Sequence, residues 1–322
     1  MLITMELQRV RRTFHTATYF LLLTILVVAG PTDVRAAPRT DTKLSSTWIV
    51  RANPSKLQNG TPIFLEVTPP ERLQSLKGNW LGHEIIFDQG SERTWFALAG
   101  TSLETKPGSY PLTLEAVTLG GRQSSFRKNF IVGHAKYPVI QLTVSKQFTE
   151  PSPGQLQVIK EDQGLKHKAF SVTTPEREWS GRFTAPVDAE TSDVFGTKRV
   201  FNGATKSVHQ GLDYRVGPGT PVAAVNSGTV ILAQPLYFEG NCVVLDHGQG
   251  LLSLYLHLSE IKVKEGERVA RGQLLGLSGA TGRATGPHLH IAVRWQGVYL
   301  NPAALLSLRL SESQAKNLAP AQ

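Results

Sequence analysis

One cysteine, Cys242, stands among 322 residues. A lone thiol excludes an intramolecular disulfide and any metal cluster held by several cysteines. Its distance from the N-terminus argues against a lipid-modified N-terminal cysteine, and an isolated buried cysteine is ordinarily a small hydrophobe, so no chemistry is assigned to it. No basic run interleaved with aromatics occurs, which sets nucleic acid aside as a partner although the formal net charge is +9. The apolar run over residues 19–29 is short for a membrane span. What the chain does have is glycine and proline, 29 and 19 of them, with 40% hydrophobic residues. That composition predicts a globular, turn-rich, mainly β protein long enough for two cores.

The N-terminus sets the expected compartment. Arg9, Arg11 and Arg12 precede the apolar run, and Val34-Arg35-Ala36 before Ala37 places small residues where a signal peptidase reads them. Residues 1–36 are therefore expected to be a signal peptide, with an uncleaved N-terminal anchor as the alternative. Two units of the positive excess belong to this segment, so the exported chain keeps +7. A basic exported protein without disulfides suits the periplasm or cell envelope of a bacterium and an anionic wall polymer. No stable membrane insertion is expected after removal of the signal.

Residues 37–47 are polar and form a flexible lead-in. Over residues 48–133 short apolar runs such as Ile63-Phe64-Leu65-Glu66-Val67 and Leu112-Thr113-Leu114-Glu115-Ala116-Val117 alternate with turn signals. Their spacing predicts an immunoglobulin-like β-sandwich, although the cysteine pair of antibody domains is absent. His83 and His134 have no partners at ligand spacing and are expected at the surface. Residues 134–180 are more charged and predict a connector with a short, weakly amphipathic helix around Leu156, Ile159 and Leu165, His167 being solvated. Residues 181–307 predict a second, nearly all-β domain of short strands and glycine turns. Residues 308–322 form a polar tail.

Three segments of this second region carry candidate chemistry. In Pro287-His288-Leu289-His290-Ile291 the two histidines share one strand face and Leu289 takes the other. An isolated H-x-H is more often two ordinary histidines than a site. Upstream, His209-Gln210-Gly211-Leu212-Asp213 places His209 and Asp213 on one face if extended, with Gly211 leaving room for an ion or a backbone. Imidazole and carboxylate suit zinc, and three protein ligands leave a fourth position open for water. In Leu252-Ser253-Leu254-Tyr255-Leu256-His257-Leu258 strict alternation puts four leucines on one face and His257 with Tyr255 on the opposite one. Position alone does not decide whether His288 or His290 faces a metal.

These residues fall in an ordered set: Phe195-Gly196, Phe201-Asn202-Gly203, the H-x-G-x-D-like run at 209–213, Asp246-His247-Gly248, Tyr255-Leu256-His257-Leu258, Thr285-Gly286-Pro287-His288-Leu289-His290 and Asn301-Pro302. The set resembles the LytM/lysostaphin-type zinc metallopeptidases, the M23 peptidase family. The resemblance implies an all-β chain whose sandwich is followed by a LytM-type antiparallel β-sheet metallopeptidase domain. It implies one Zn2+ held by His209, Asp213 and His290. His257 and His288 are then the catalytic pair, and His247 is a structural residue. The implied activity is hydrolysis of peptide stems or cross-bridges of peptidoglycan. D-Ala–diaminopimelate cross-links are favoured, with glycine bridges as the other substrate class. A non-hydrolytic wall-binding protein or amidase activator is the alternative, and retention of all five polar residues argues against it. The role of the first β domain is left open between wall binding and, as a weaker option, occlusion of the groove.

Overall fold

Residues 47–90, 93–172 and 174–308 are described by the computed structural model. The expected signal segment, nearly all of the lead-in and the tail beyond Leu308 lie outside the described residues. Period-two patterning builds the first β region. Leu112, Leu114 and Ala116 are buried while Thr113 and Glu115 between them are exposed. Two sheets result. One runs Ile49–Asn53, Pro62–Thr68, Trp95–Gly100, Asp88–Gln89, and the other Leu57–Gln58, Gln123–Gly133, Gly108–Thr118, Leu73–Trp80, His83–Ile86. Phe64 stacks on Phe96 at 5.6 Å between ring centroids. The Trp80 indole N–H donates to the Gly100 carbonyl at 2.9 Å and ties one sheet to the other.

The second β region is a ten-stranded sheet in which every pairing is antiparallel. Its centre is Leu251–Ile261, flanked by Gly240–Asp246 and Leu289–Trp295, with Leu212–Tyr214 beyond the latter. One face joins the apolar cluster of the first region through Tyr255, Leu258, Ile291 and Trp295. Asn301 N–H donates to the Gly60 carbonyl, Arg177 pairs with Asp88 at 2.7 Å, and His83 packs 5.1 Å from the Trp295 ring. His83 is thus half-buried on an aromatic ring rather than a plain surface residue, whereas His134 and His167 are exposed.

The connector carries the helix expected around Leu156, Ile159 and Leu165, and it is long. Pro153–Phe170 is an 18-residue helix. Ser152 caps it: the Gln155 N–H donates to the Ser152 hydroxyl, and the Ser152 N–H donates to the Gln155 side chain. The helix needs little amphipathicity because polar anchors fix it. The Asp162 carboxylate accepts the Tyr237 N–H at 2.6 Å, and Lys166 pairs with Glu239 at 2.5 Å. Its Ala169 enters a second apolar cluster with Leu232, Leu236, Cys242, Val244 and Leu254 on the other face of the sheet. Earlier in the same segment, Val139–Leu142 pairs in parallel with Lys198–Phe201, which pairs with Thr205–Val208. This three-stranded sheet stands beside the candidate site.

Strict alternation fails at His257. Tyr255 faces Val243 but Leu258 faces Asn241, three residues against two, so the strand carries a bulge. His257 takes φ = 62°, a left-handed conformation uncommon for residues other than glycine. The bulge returns Leu258 to the Tyr255 face. It also puts His257 on the side of Leu254, Leu256 and His290, not opposite the leucines as alternation predicts. The expected face of His257 is corrected accordingly.

Candidate active site

Backbone register brings the candidate ligands together. Asp213 lies opposite His290, and Leu256 lies opposite His290 from the other side. His209 sits just before Leu212–Tyr214, pinned by its N–H to the Thr197 carbonyl and by its carbonyl from the Gly196 N–H, both 2.8 Å. Gly211 has a defined purpose: a Cβ there would come within 2.4 Å of His290 Nε2 and 2.5 Å of the Ile291 carbonyl oxygen. The room that glycine leaves is filled by the His290 ring, so the sequence expectation of close approach holds with an imidazole as the neighbour.

Three potential ligand atoms converge. His290 Nδ1 is 2.7 Å from Asp213 Oδ1, His209 Nε2 is 3.1 Å from the same oxygen, and the two ring nitrogens are 3.0 Å apart. The remaining polar atoms of His209 and Asp213 are engaged elsewhere. The His209 Nδ1–H donates to the Val194 carbonyl at 2.9 Å, which leaves Nε2 with its lone pair towards the cluster. Asp213 Oδ2 accepts from Arg199 at 2.5 Å, and the same guanidinium group reaches Asp193 at 2.6 Å. Two imidazole nitrogens and a carboxylate oxygen pressed this close repel one another unless a proton or a cation lies among them. That donor set fits a borderline divalent metal.

His257 and His288 stand beside the cluster with rings 4.8 Å apart. The His257 Nδ1–H donates to the Thr281 carbonyl, and the His288 Nδ1–H to the Gly286 carbonyl, each at 2.8 Å. Both tautomers follow from carbonyl acceptors, and in both rings Nε2 is the basic nitrogen. Burial, with the neighbouring His290 and His288, pushes His257 down to about 3, against the opposing pull of the Thr281 carbonyl and Asp213. Burial likewise lowers His290, opposed by Asp213. Burial alone raises Asp213, but hydrogen bonds from His209 and His290 outweigh it and hold the carboxylate ionised. Burial therefore favours neutral His257 and His290 beside an ionised Asp213.

All five residues line one groove of about 510 Å³. Ile140, Leu142 and Phe201 of the three-stranded sheet also line it, as does Val144 just beyond the first of those strands. No described residue of 48–133 lines it, so occlusion by the first β region finds no support. His247 lies elsewhere, fully buried. Its Nδ1–H donates to the Ser227 carbonyl at 2.6 Å, and Nε2 accepts from the Ser253 hydroxyl at 2.8 Å, as a structural residue should. Sequence reading missed Asp193, Arg199 and Arg283, because no short spacing links them to the histidine motifs.

Residues 207–302 match peptidase family M23. Peptidoglycan DD-endopeptidase ShyA of Vibrio cholerae is 43% identical over 120 residues, 36% of this chain and 28% of that protein. DD-carboxypeptidase/endopeptidase Mpg of Neisseria meningitidis is 40% identical over 101 residues, 31% of this chain and 23% of that one. This chain thus spans under a third of the length of these curated relatives. A crystal structure of a Pseudomonas aeruginosa protein described as an M23 peptidase is 30% identical, with a TM-score of 0.60 over 79% of this chain and 96% of its own. With the similarity extending over nearly all of that protein, and the motif histidines and aspartate converging in one groove, this chain is a member of peptidase family M23.

Proposed function

We propose that this chain is a zinc-dependent endopeptidase that hydrolyses peptide cross-links of bacterial peptidoglycan, in the cell envelope. The observation that carries the reading is the convergence of His209 Nε2, Asp213 Oδ1 and His290 Nδ1 within 4.8 Å, beside two histidines whose Nε2 atoms are the basic ones. His209, Asp213 and His290 hold the metal, within a metallopeptidase unit spanning residues 181–307. Bound there, zinc supplies Lewis acidity towards a carbonyl and towards water.

The chain's own groups handle the protons. Nε2 of His257 or His288 takes a proton from the attacking water as the carbon–oxygen bond forms. It then delivers that proton to the amine nitrogen as the carbon–nitrogen bond breaks. The protonated imidazole of the pair steadies negative charge on the former carbonyl oxygen. Both rings are held by backbone carbonyls, so the tautomer and direction are set before substrate arrives. The names of the relatives, which include DD-endopeptidases, favour D-Ala–diaminopimelate cross-links as substrate.

Isolated sacculi test the reading. Zinc-loaded protein releases muropeptides, a chelator stops release, and added zinc restores it. Fully loaded protein that releases nothing supports instead a non-hydrolytic wall-binding or amidase-activating role.

A further inference from the structure

Arg283 lines the groove but takes no part in the ligand cluster. Its guanidinium carbon lies 4.6 Å from the Phe238 ring centroid and 5.0 Å from that of Phe201. Its backbone is fixed too: the Arg283 N–H donates to the Phe238 carbonyl at 2.8 Å. Gly282, at φ = 69°, presses so closely on the 238–240 turn that a Cβ would sit 2.3 Å from the Gly240 nitrogen. Two residues before Arg283, the Thr281 carbonyl accepts the His257 Nδ1–H. The loop that orients the proton carrier therefore also carries the guanidinium.

No ion pair at contact distance holds this cation, although the Glu239 carboxylate acts on it electrostatically. Among the described residues, the Arg283 guanidinium meets no carboxylate at ion-pair distance and no hydrogen-bond acceptor. The nearest acid along the turn, Glu239, is engaged by Lys166 at 2.5 Å. Of the two other arginines lining the groove, Arg199 is occupied by Asp193 and Asp213, and Arg215 is exposed. A guanidinium stacked on aromatic rings keeps its planar fork of donors free at the edge, in the geometry that grips a carboxylate through two parallel bonds.

Resting on the peptidase reading above, we propose that Arg283 binds a free carboxylate of the substrate on the leaving-amine side of the scissile bond. A cross-link from a D-alanine carbonyl to the side-chain amine of diaminopimelate carries such a carboxylate on the carbon bearing the leaving nitrogen. A glycine bridge carries no charge there. Arg283 thereby selects directly cross-linked, diaminopimelate-type stems.

The test crosses two proteins with two substrates, using full-length zinc-loaded chain. The substrates are a cross-linked tetrapeptide dimer and the same dimer with that carboxylate amidated. For the wild type, amidation lowers kcat/KM on the order of 10- to 100-fold, the worth of one charge-assisted hydrogen bond. Arg283→Gln imposes a similar loss on the free acid and almost none on the amide, while Arg283→Lys recovers part of it. Unchanged zinc content and melting temperature of both variants establish that the fold is intact. Equal wild-type rates on both dimers, or equal losses on both in Arg283→Gln, overturn the proposal. If the wild type cleaves neither dimer, the peptidase reading fails. Equilibrium titration then judges the carboxylate site alone: wild-type preference for the free acid, lost in Arg283→Gln, supports it, and no preference overturns it.

Discussion

Asp213 and His290 face each other across two antiparallel strands, with Oδ1 of one 2.7 Å from Nδ1 of the other. Strand pairing, not loop placement, thus holds two of the three proposed ligands. Residues fixed in a ladder lose little entropy when a metal binds, because their backbone is already ordered. Asp213→Ala removes the carboxylate without touching that ladder. The expected result is a fall in zinc affinity of more than about 100-fold, with loss of turnover and a preserved fold. Competition with a chromogenic chelator measures it, and retention of wild-type affinity sinks the ligand assignment.

Arg199 bears on the proposed metal site through Asp213. Its guanidinium reaches Asp213 Oδ2 and Asp193 together, so it fixes which carboxylate oxygen points at the cluster. Arg199→Gln is expected to weaken zinc binding by about 10- to 100-fold, the range for residues that orient a ligand. Arg199→Lys retains part of the effect, since a point charge lacks the fork that spans two carboxylates. Unaltered zinc affinity in Arg199→Gln would show that Asp213 is oriented without it.

His257 and His288 separate chemistry from metal binding. Neither belongs to the converging triad, yet both present a basic Nε2 beside it. His257→Ala and His288→Ala should each keep near wild-type zinc content while losing roughly 10²- to 10⁴-fold in kcat. A variant that loses zinc along with activity belongs among the ligands instead.

His247 predicts a pH dependence of stability that is independent of the metal. Burial pushes its pKa down to about 4 from 6.5, opposed by the Ser227 carbonyl and Glu178. Between these two values the unfolded chain binds more protons than the folded one. The contribution is therefore fully present above about pH 6.5 and lost as pH falls towards 4, amounting to about 3 kcal/mol at most. Denaturant midpoints taken across this window should fall more steeply for the wild type than for His247→Gln. Parallel slopes rule the effect out.

Much of the site was readable because its chemistry sits in short, regular spacings. His288 and His290 share a strand face, and Gly211 sits where a neighbouring ring needs room. Period-two burial of Leu112, Leu114 and Ala116 gave the first β region its strands in the same way. Reading failed where tertiary structure overrides periodicity. The bulge at His257 reverses the face that alternation assigns, and it depends on a register shift against Asn241 that no local pattern encodes. The helix Pro153–Phe170 was legible as a weak pattern, and what the pattern lacked was its anchoring by the cap, Asp162 and Lys166 in place of an apolar stripe. Arg199 and Arg283 reach the groove from separate segments through long-range pairing, so no motif contains them.

The central claim is hydrolysis of a peptide cross-link by this groove, and a defined substrate tests it most directly. A purified cross-linked muropeptide dimer is incubated with protein shown by metal analysis to hold one zinc per chain, and the products are weighed by mass spectrometry. The account predicts two monomers whose masses together equal that of the dimer plus one water, and none when Asp213→Ala replaces the wild type. An intact dimer in the presence of fully zinc-loaded wild-type protein contradicts it.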